Sequence, residues 1–245
     1  VLGNPKRVVL SGIGGIVVFL CLQPLLFGQR DVPFVGCRSE GQADPIDAPT
    51  GASVSVPVSS EAAEKLAFYK ASVIEGVLAP RGWYCLGLYG SGGAGLLVSP
   101  EPIDTARLFS TDWRGFAGPA VAIDYSSGET SGRFRVAQII ARAFPAWRWF
   151  ADQVFKSFDQ TTPSGPYPRD QLTYKRTTMV EYETPALTDG LGTDRLVTKG
   201  GAPINGVAIL VGQSPDAVLL SVRLPAALAR LAPEVVRQVE RAYAK

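Results

Sequence analysis

Apolar positions along the chain fall into short blocks with two different periods. Val54, Val56 and Val58 alternate with other residues, which predicts a strand over Val54–Val58. Pro57 confines that strand to a sheet edge, because proline cannot donate to a ladder. Glu61–Ser72 follows Ser60 as a cap, carries Glu61 and Glu64 in its first turn, and spaces Ala62, Leu66 and Tyr69 as a helix does. Val77–Tyr89 and Leu96–Val98 read as paired strands with Gly90–Gly95 between them, and Val121–Tyr125 as a further strand. Within Phe134–Phe144, Val136, Ile139, Ile140 and Ala143 return at helical spacing; Pro145 interrupts, and Ala146–Phe158 predicts a second helix. Leu172–Thr184 has the mixed composition of a strand with one wet face. Val207–Val211 and Ala217–Val222 flank the turn residues Gly212–Asp216 and form the clearest hairpin; their near-continuous apolar character predicts cover on both faces. A last helix begins at Pro233 and places Val235, Val236, Val239, Ala242 and Tyr243 on one stripe, which predicts docking on the sheet.

Between these blocks, residues 29–50 read as an irregular linker, 104–118 as irregular with Trp113 and Phe116 as anchors, and 159–169 as a loop rich in Pro, Gly, Ser and Thr. The order of elements predicts an α+β fold, a mainly antiparallel sheet with helices packed on it, over a single domain spanning 51–245.

The first 28 residues have a different character. Lys6-Arg7 precedes the uncharged, mostly apolar run Val8–Leu22, Pro24 interrupts, and Gly28 leads into Gln29-Arg30-Asp31. This is the pattern of an export segment, and two readings of it stand. It is a signal cleaved after Gly28, or Val8–Phe27 is retained as a single membrane anchor with its amino end inside. The domain is therefore expected in the periplasm or secreted, or else held outside the cytoplasm by an inner-membrane anchor. Outside that segment two cysteines remain, Cys37 and Cys85, and an oxidising compartment favours a bridge between them. Closing a loop of that length stabilises the chain by roughly 4 kcal/mol in the chain-entropy picture.

Composition removes whole classes of function. The 245 residues carry 24 Lys+Arg against 22 Asp+Glu, and Lys6 and Arg7 account for the surplus, so the remainder is formally neutral. A nucleic-acid partner is not expected of such a chain. There is no histidine, which excludes Ser-His-Asp and Cys-His catalysis and His-ligated metals. Gly90-Ser91-Gly92-Gly93-Ala94-Gly95 matches the dinucleotide fingerprint in letters, yet a strand rather than a helix follows it, so it reads as a glycine-rich turn. No phosphate-cradling G-x-x-x-x-G-K run and no G-x-S-x-G elbow is present. Asp189-Gly190 with Asp194 is a weak oxygen-ligand pattern that reads better as a turn. No cofactor or metal is expected.

Two aromatic–basic groups are candidate binding residues. Trp147 and Phe150 share one face of the second helix, leaving Arg148 and Trp149 to face a partner or a membrane interface. In Pro80-Arg81-Gly82-Trp83-Tyr84-Cys85, Trp83 and Cys85 share a strand face, which places a tryptophan beside the disulfide, and Arg81 is a candidate ligand contact. That phrase, together with Tyr89-Gly90-Ser91-Gly92-Gly93, Gly165-Pro166-Tyr167-Pro168, Tyr182-Glu183-Thr184-Pro185-Ala186 and Leu220-Ser221-Val222-Arg223-Leu224-Pro225, resembles a family of uncharacterised exported bacterial proteins, mostly from proteobacteria. The resemblance spans roughly Cys37 to the carboxyl end and implies export. It brings no activity and hence no catalytic residue.

The expectation is an exported cell-envelope protein with a non-catalytic binding or scaffolding role toward an unidentified protein or small molecule. Its alternative is a histidine-free periplasmic hydrolase of Ser-Lys or paired-carboxylate type. A membrane is expected as a partner only through residues 8–27, if that segment is uncleaved.

Overall fold

The computed structural model describes residues 28–244; the expected export segment, apart from Gly28 and including Cys21, lies outside the described residues. The chain runs through β1 (Gln29–Cys37), β2 (Ser39–Gly41), β3 (Ser53–Pro57), α1 (Ser60–Lys65), β4 (Leu66–Ala71), β5 (Ile74–Pro80), β6 (Tyr84–Gly90) and β7 (Gly93–Ser99). It continues with α2 (Thr105–Leu108), β8 (Ala120–Ser126), α3 (Arg133–Ala143), a 3-10 turn at Pro145–Trp147 and α4 (Arg148–Ser157). Then come β9 (Gln171–Arg176), β10 (Met179–Thr184), β11 (Ile204–Val211), β12 (Asp216–Arg223), a 3-10 segment at Ala226–Leu231, and α5 (Ala232–Ala242).

The strands form two sheets. One has the order β3-β1-β4-β5, the other β2-β6-β7-β8-β12-β11-β10-β9. All pairings are antiparallel except β1 with β4 and β2 with β6, so the α+β architecture with a mainly antiparallel sheet holds. Alternation along the central strands sorts their side chains between two cores. Val218, Leu220 and Val222 of β12, with Val121 and Ile123 of β8, face the small sheet and α5. Ala217 and Leu219, with Ala120 and Ala122, face α3 and α4. The large sheet is thus the middle of three layers, and the β11–β12 hairpin is covered on both sides.

The last helix docks as its stripe predicts: Val235, Val236 and Val239 are buried in the first core, although Ala242 is exposed. Gln238 adds a contact that periodicity does not foretell. Its side-chain carbonyl accepts from the Leu78 amide at 3.1 Å and its side-chain amide donates to the Gly76 carbonyl at 3.1 Å. β5 is an edge strand buried among apolar residues, and Gln238 supplies the hydrogen bonds that a neighbouring strand would otherwise give.

Four expectations are corrected. Residues 29–50 are not a linker throughout: β1 lies between β3 and β4 in the small sheet, with residues 29–33 paired to the first and 34–37 to the second. The predicted helix 61–72 ends at Lys65; Ser59 rather than Ser60 caps it, and Leu66–Ala71 runs on as β4 because parallel pairing with β1 outweighs a marginal helical period. Val77–Tyr89 is two strands in different sheets, separated at Arg81-Gly82-Trp83, where Gly82 has φ +78°. Leu172–Thr184 is a hairpin, β9 and β10.

The Cys37–Cys85 disulfide forms, with Cα atoms 5.5 Å apart, and it ties the end of β1 in the small sheet to β6 in the large one. Trp83 and Cys85 both pack against the core that contains Cys37. Replacing both cysteines by serine is expected to lower unfolding free energy by roughly 2–4 kcal/mol in urea titrations, since the bridge closes a long loop of the unfolded chain. An unchanged midpoint relative to the oxidised protein would show that packing alone holds the two sheets together.

Candidate functional site

A cavity of about 480 Å³ opens at one end of the large sheet, on the side of the helix layer. The register of the sheet explains its floor. Along β8, Ala120 and Ala122 face the helices, and Asp124 is the next residue on that face. It is paired with Gly95 of β7 on one side and Leu219 of β12 on the other. A carboxyl thus stands in a row that is otherwise apolar. Gly95 makes room for it: a Cβ there would lie 2.7 Å from Asp124 Oδ1.

The glycine-rich run therefore works differently from a turn alone. Only Ser91 and Gly92 lie between the strands, and Gly93–Gly95 belong to β7. Gly93 has φ +153° and presses on the Tyr125 carbonyl, where any side chain would clash with backbone. The tip of the hairpin is fixed to the start of α3. The Gly92 carbonyl accepts from the Ser127 amide at 3.0 Å, and the Ser91 and Ser131 hydroxyls lie 3.0 Å apart.

The opposite wall comes from α3 and from the loop after β10. Arg135 of α3 donates to Asp194 Oδ2 at 3.3 Å. Asp194 Oδ1 accepts from the Leu196 and Val197 amides at 2.6 and 2.9 Å, so this carboxylate is fully engaged in shaping its own loop. A second carboxyl braces the same loop from outside. Asp170 accepts from Thr184 Oγ1 at 2.8 Å and from the Leu191 amide at 2.6 Å, and desolvation moves its pKa upward. Below, Arg223 is buried with no carboxylate partner among the described residues. Its guanidinium donates to the carbonyls of Phe116, Ala117, Gly118, Thr198 and Ala202 at 2.6–3.2 Å, and desolvation lowers its pKa. It joins the loop before β8 to the loop before β11, next to the segment that lines the cavity.

Asp124 differs from all of these. Its carboxyl makes no side-chain hydrogen bond among the described residues, and it is half-buried, with its remaining surface lining the cavity. Desolvation first, and the negative charge of Asp194 second, push its pKa up to about 8, against a smaller opposing pull from Arg135. The rest of the cavity is mainly apolar, from Leu88, Leu108, Phe109 and Leu196, with the exposed Arg195 at its rim. Arg195 donates to the Leu108 carbonyl at 2.8 Å and has no salt bridge among the described residues. No lysine lines the cavity.

The candidates from sequence lie elsewhere. Arg81 donates to the carbonyls of Leu66 and Ala63, at 3.1 and 2.5 Å, and so closes the carboxyl end of α1. Trp83 packs by the disulfide, and its amide donates to Tyr69 Oη at 3.0 Å. Trp149 is 56% exposed, with its ring against Trp147 and Phe150, while Arg148 pairs with Asp152 at 3.6 Å. None of Arg81, Trp83, Arg148 and Trp149 lines this cavity. Asp189 and Asp194 have separate partners, Lys199 and Arg135, and no group of three or more Asp, Glu or Cys fit to hold a metal occurs among the described residues. Nor is any helix among them long and apolar enough to cross a membrane. Asp124 itself was within reach of sequence reasoning: an acid in Val121–Tyr125, at an alternation position shared with Ala120 and Ala122, is out of place in a strand.

No family model, curated protein or solved structure matches this chain.

The raised pKa of Asp124 has a defined consequence for stability. The folded state holds this proton more tightly than the unfolded chain does, so its stabilising contribution is complete below the ordinary carboxyl pKa and is lost as pH rises toward about 8. Asp124→Asn is therefore expected to change little near pH 4 and to stabilise the protein at pH 8.5 by on the order of 1–2 kcal/mol, after discounting for solvent in the cavity. Part of the wild-type slope will persist. Glu240 of α5, pushed up to about 7 by desolvation and by Glu181 against it, titrates in the same direction. Thermal melts of both proteins from pH 4 to 9 measure the difference, and parallel curves would show that Asp124 is ionised throughout.

Proposed function

We propose that this is an exported binding protein of the cell envelope whose ligand is a small molecule held in the cavity above Asp124. One observation carries the reading: the Asp124 carboxyl stands at the floor of a cavity of about 480 Å³ with no hydrogen-bond partner among the described residues. Ligand sites are typically apolar concavities of this size with a few convergent polar groups. A desolvated polar group that the fold leaves unpartnered costs stability, and a ligand that pairs with it removes that cost on binding.

The hydrolase alternative has one point in its favour, a carboxyl with a raised pKa beside a second carboxylate. It needs two free groups, however. Both oxygens of Asp194 are occupied, by two amides and by Arg135, and there is no lysine in the cavity to serve a serine. One uncommitted acid suits recognition better than acid–base catalysis.

Export is supported by the Cys37–Cys85 bridge, which suits an oxidising compartment, by the expected export segment, and by the family resemblance. In the native host the chain is expected outside the cytoplasm with an amino terminus at Gln29. Mass spectrometry that recovered Lys6-Arg7 would select the anchor, and a cytoplasmic protein with free Cys37 and Cys85 thiols would refute export.

A thermal-shift screen of small amphipathic compounds tests the cavity. Genuine ligands are expected to lose at least about tenfold in affinity in Asp124→Asn or Phe109→Ala, the worth of one good contact. Ligands indifferent to both substitutions would remove the cavity from consideration. Generic ester, peptide and glycoside substrates are expected to survive; turnover abolished in Asp124→Asn would replace the binding reading with the hydrolase.

A further inference from the structure

Asp124 faces a limited set of charges. β7 contributes none, since Gly95 is opposite it with Ala94 and Gly93 beyond, and β12 offers Leu219. From α3 comes Arg135, and from the loop after β10 come Asp194 and, farther out, Arg195. Tyr182 of β10 is neutral, its hydroxyl donating to the Leu220 carbonyl at 2.7 Å in a buried setting that drives its pKa upward. Tyr125 precedes the turn into α3, pushed up to about 12 by its bond to Asp216.

These groups sort into an inner and an outer set. At the floor, Arg135 and Asp194 form a salt bridge and cancel, so an ionised Asp124 leaves one uncompensated negative charge in a poorly solvated place. At the rim, the exposed Arg195 has no carboxylate partner among the described residues, and the amino end of α3 at Gly132 also lines the wall. Arg195 places positive charge at the outer end. Between the two lie Leu88, Leu108, Phe109 and Leu196.

Resting on the cavity reading above, we propose that the ligand is an amphipathic monoamine, its ammonium set against Asp124, its apolar body along these side chains, and its far end neutral or anionic beneath Arg195. A hydroxyl or carbonyl ligand would gain one neutral hydrogen bond from the protonated acid. An ammonium instead converts Asp124 to the carboxylate and completes a floor of two paired charges, and charge-assisted bonds of this kind are about twice as strong as neutral ones. A carboxylate ligand would accept one hydrogen bond from the protonated acid, but it would leave its own negative charge at the floor, where Arg135 is already paired with Asp194. A diamine would bring its second charge against Arg195.

The proton makes the class measurable. Below the pKa of Asp124, forming the ion pair expels one proton to solvent, so affinity for an amine is linked to pH. The probes are hexylamine, hexan-1-ol, hexanoate and 1,6-diaminohexane, titrated calorimetrically into the full mature protein. Hexylamine is expected to bind at least about tenfold more tightly than the alcohol or the acid at pH 8.5. Its Kd should fall by about tenfold per pH unit between pH 6 and 8, with close to one proton released per binding event at pH 6.5, read from enthalpies in buffers of different ionisation heat. Asp124→Asn, nearly isosteric, should abolish both the preference and the proton release. Arg195→Ala offers a second, independent reading: 1,6-diaminohexane should bind more weakly than hexylamine in the wild type, and the gap should narrow in this variant. If hexan-1-ol or hexanoate binds as tightly as hexylamine, or if hexylamine affinity is independent of pH, while Phe109→Ala still weakens binding, the amine assignment is wrong and the cavity stands. If no probe binds, or binding ignores Phe109 and Asp124 alike, the amine assignment and the cavity reading fall together.

Discussion

Strands β7, β8, β12 and β11 are buried on both faces, and the rest of the structure answers to that constraint. An amphipathic sheet hides one row of side chains; a sheet in the middle of three layers must hide two. The small sheet and α5 cover one side, and α3 with α4 the other, because both rows of β12 bury apolar residues: Val218, Leu220 and Val222 on one face and Ala217 and Leu219 on the other. Cys37–Cys85 and Gln238 then solve problems that this layering creates. The first ties the small sheet to the large one, and the second satisfies the backbone of β5, which is buried as an edge strand and has no strand on that side.

Polar side chains packed beside these apolar rows, whether in a strand or in the loop after β10, are matched in three different ways. Arg223 is met by five carbonyls and no counter-ion, so its charge is spread over two loops that it holds together. Asp194 is met by two amides and a guanidinium. Asp124 is met by no hydrogen bond among the described residues and by space, which Gly95 provides. The first two are explained by the architecture alone. The third is not, since an alanine at position 124 would continue the row of Ala120 and Ala122 at no cost in polar desolvation.

How much of this was legible beforehand depended on the range of the interaction. The β11–β12 hairpin, α3 and α5 were read correctly because period and turn chemistry are local properties of Val207–Val222, Val136–Ala143 and Pro233–Tyr243. Residues 66–71 were misread because their helical spacing is a local signal overruled by pairing with β1, some thirty residues earlier in the chain, itself hidden in a stretch whose Pro, Gly and Asp look like linker. The disulfide was legible, as a count of two cysteines in an oxidising setting admits one bridge. The candidate site was not. Aromatic density drew attention to Trp149 and Trp83, whereas the cavity is assembled by register, which sets Gly95, Asp124 and Leu219 side by side from three separate strands. Its one local trace, an acid at an inward position of an apolar strand, is visible only when alternation is followed residue by residue.

The glycine run links the two levels. Read as a phosphate loop, Gly90–Gly95 fails because a strand follows it; read as a turn, it has more glycines than a two-residue hairpin requires. Close packing accounts for the excess: Gly93 lies against the Tyr125 carbonyl and Gly95 against the Asp124 carboxyl. In a chain without histidine, a side chain that changes charge between pH 6 and 8 has to be made from a group that ordinarily does not. Here the ingredients are an apolar row, a neighbouring committed carboxylate and a glycine that leaves the acid room but no partner. Each is placed by the pleat of the sheet, so the same two-sided burial that organises the fold also supplies the titrating group of the cavity.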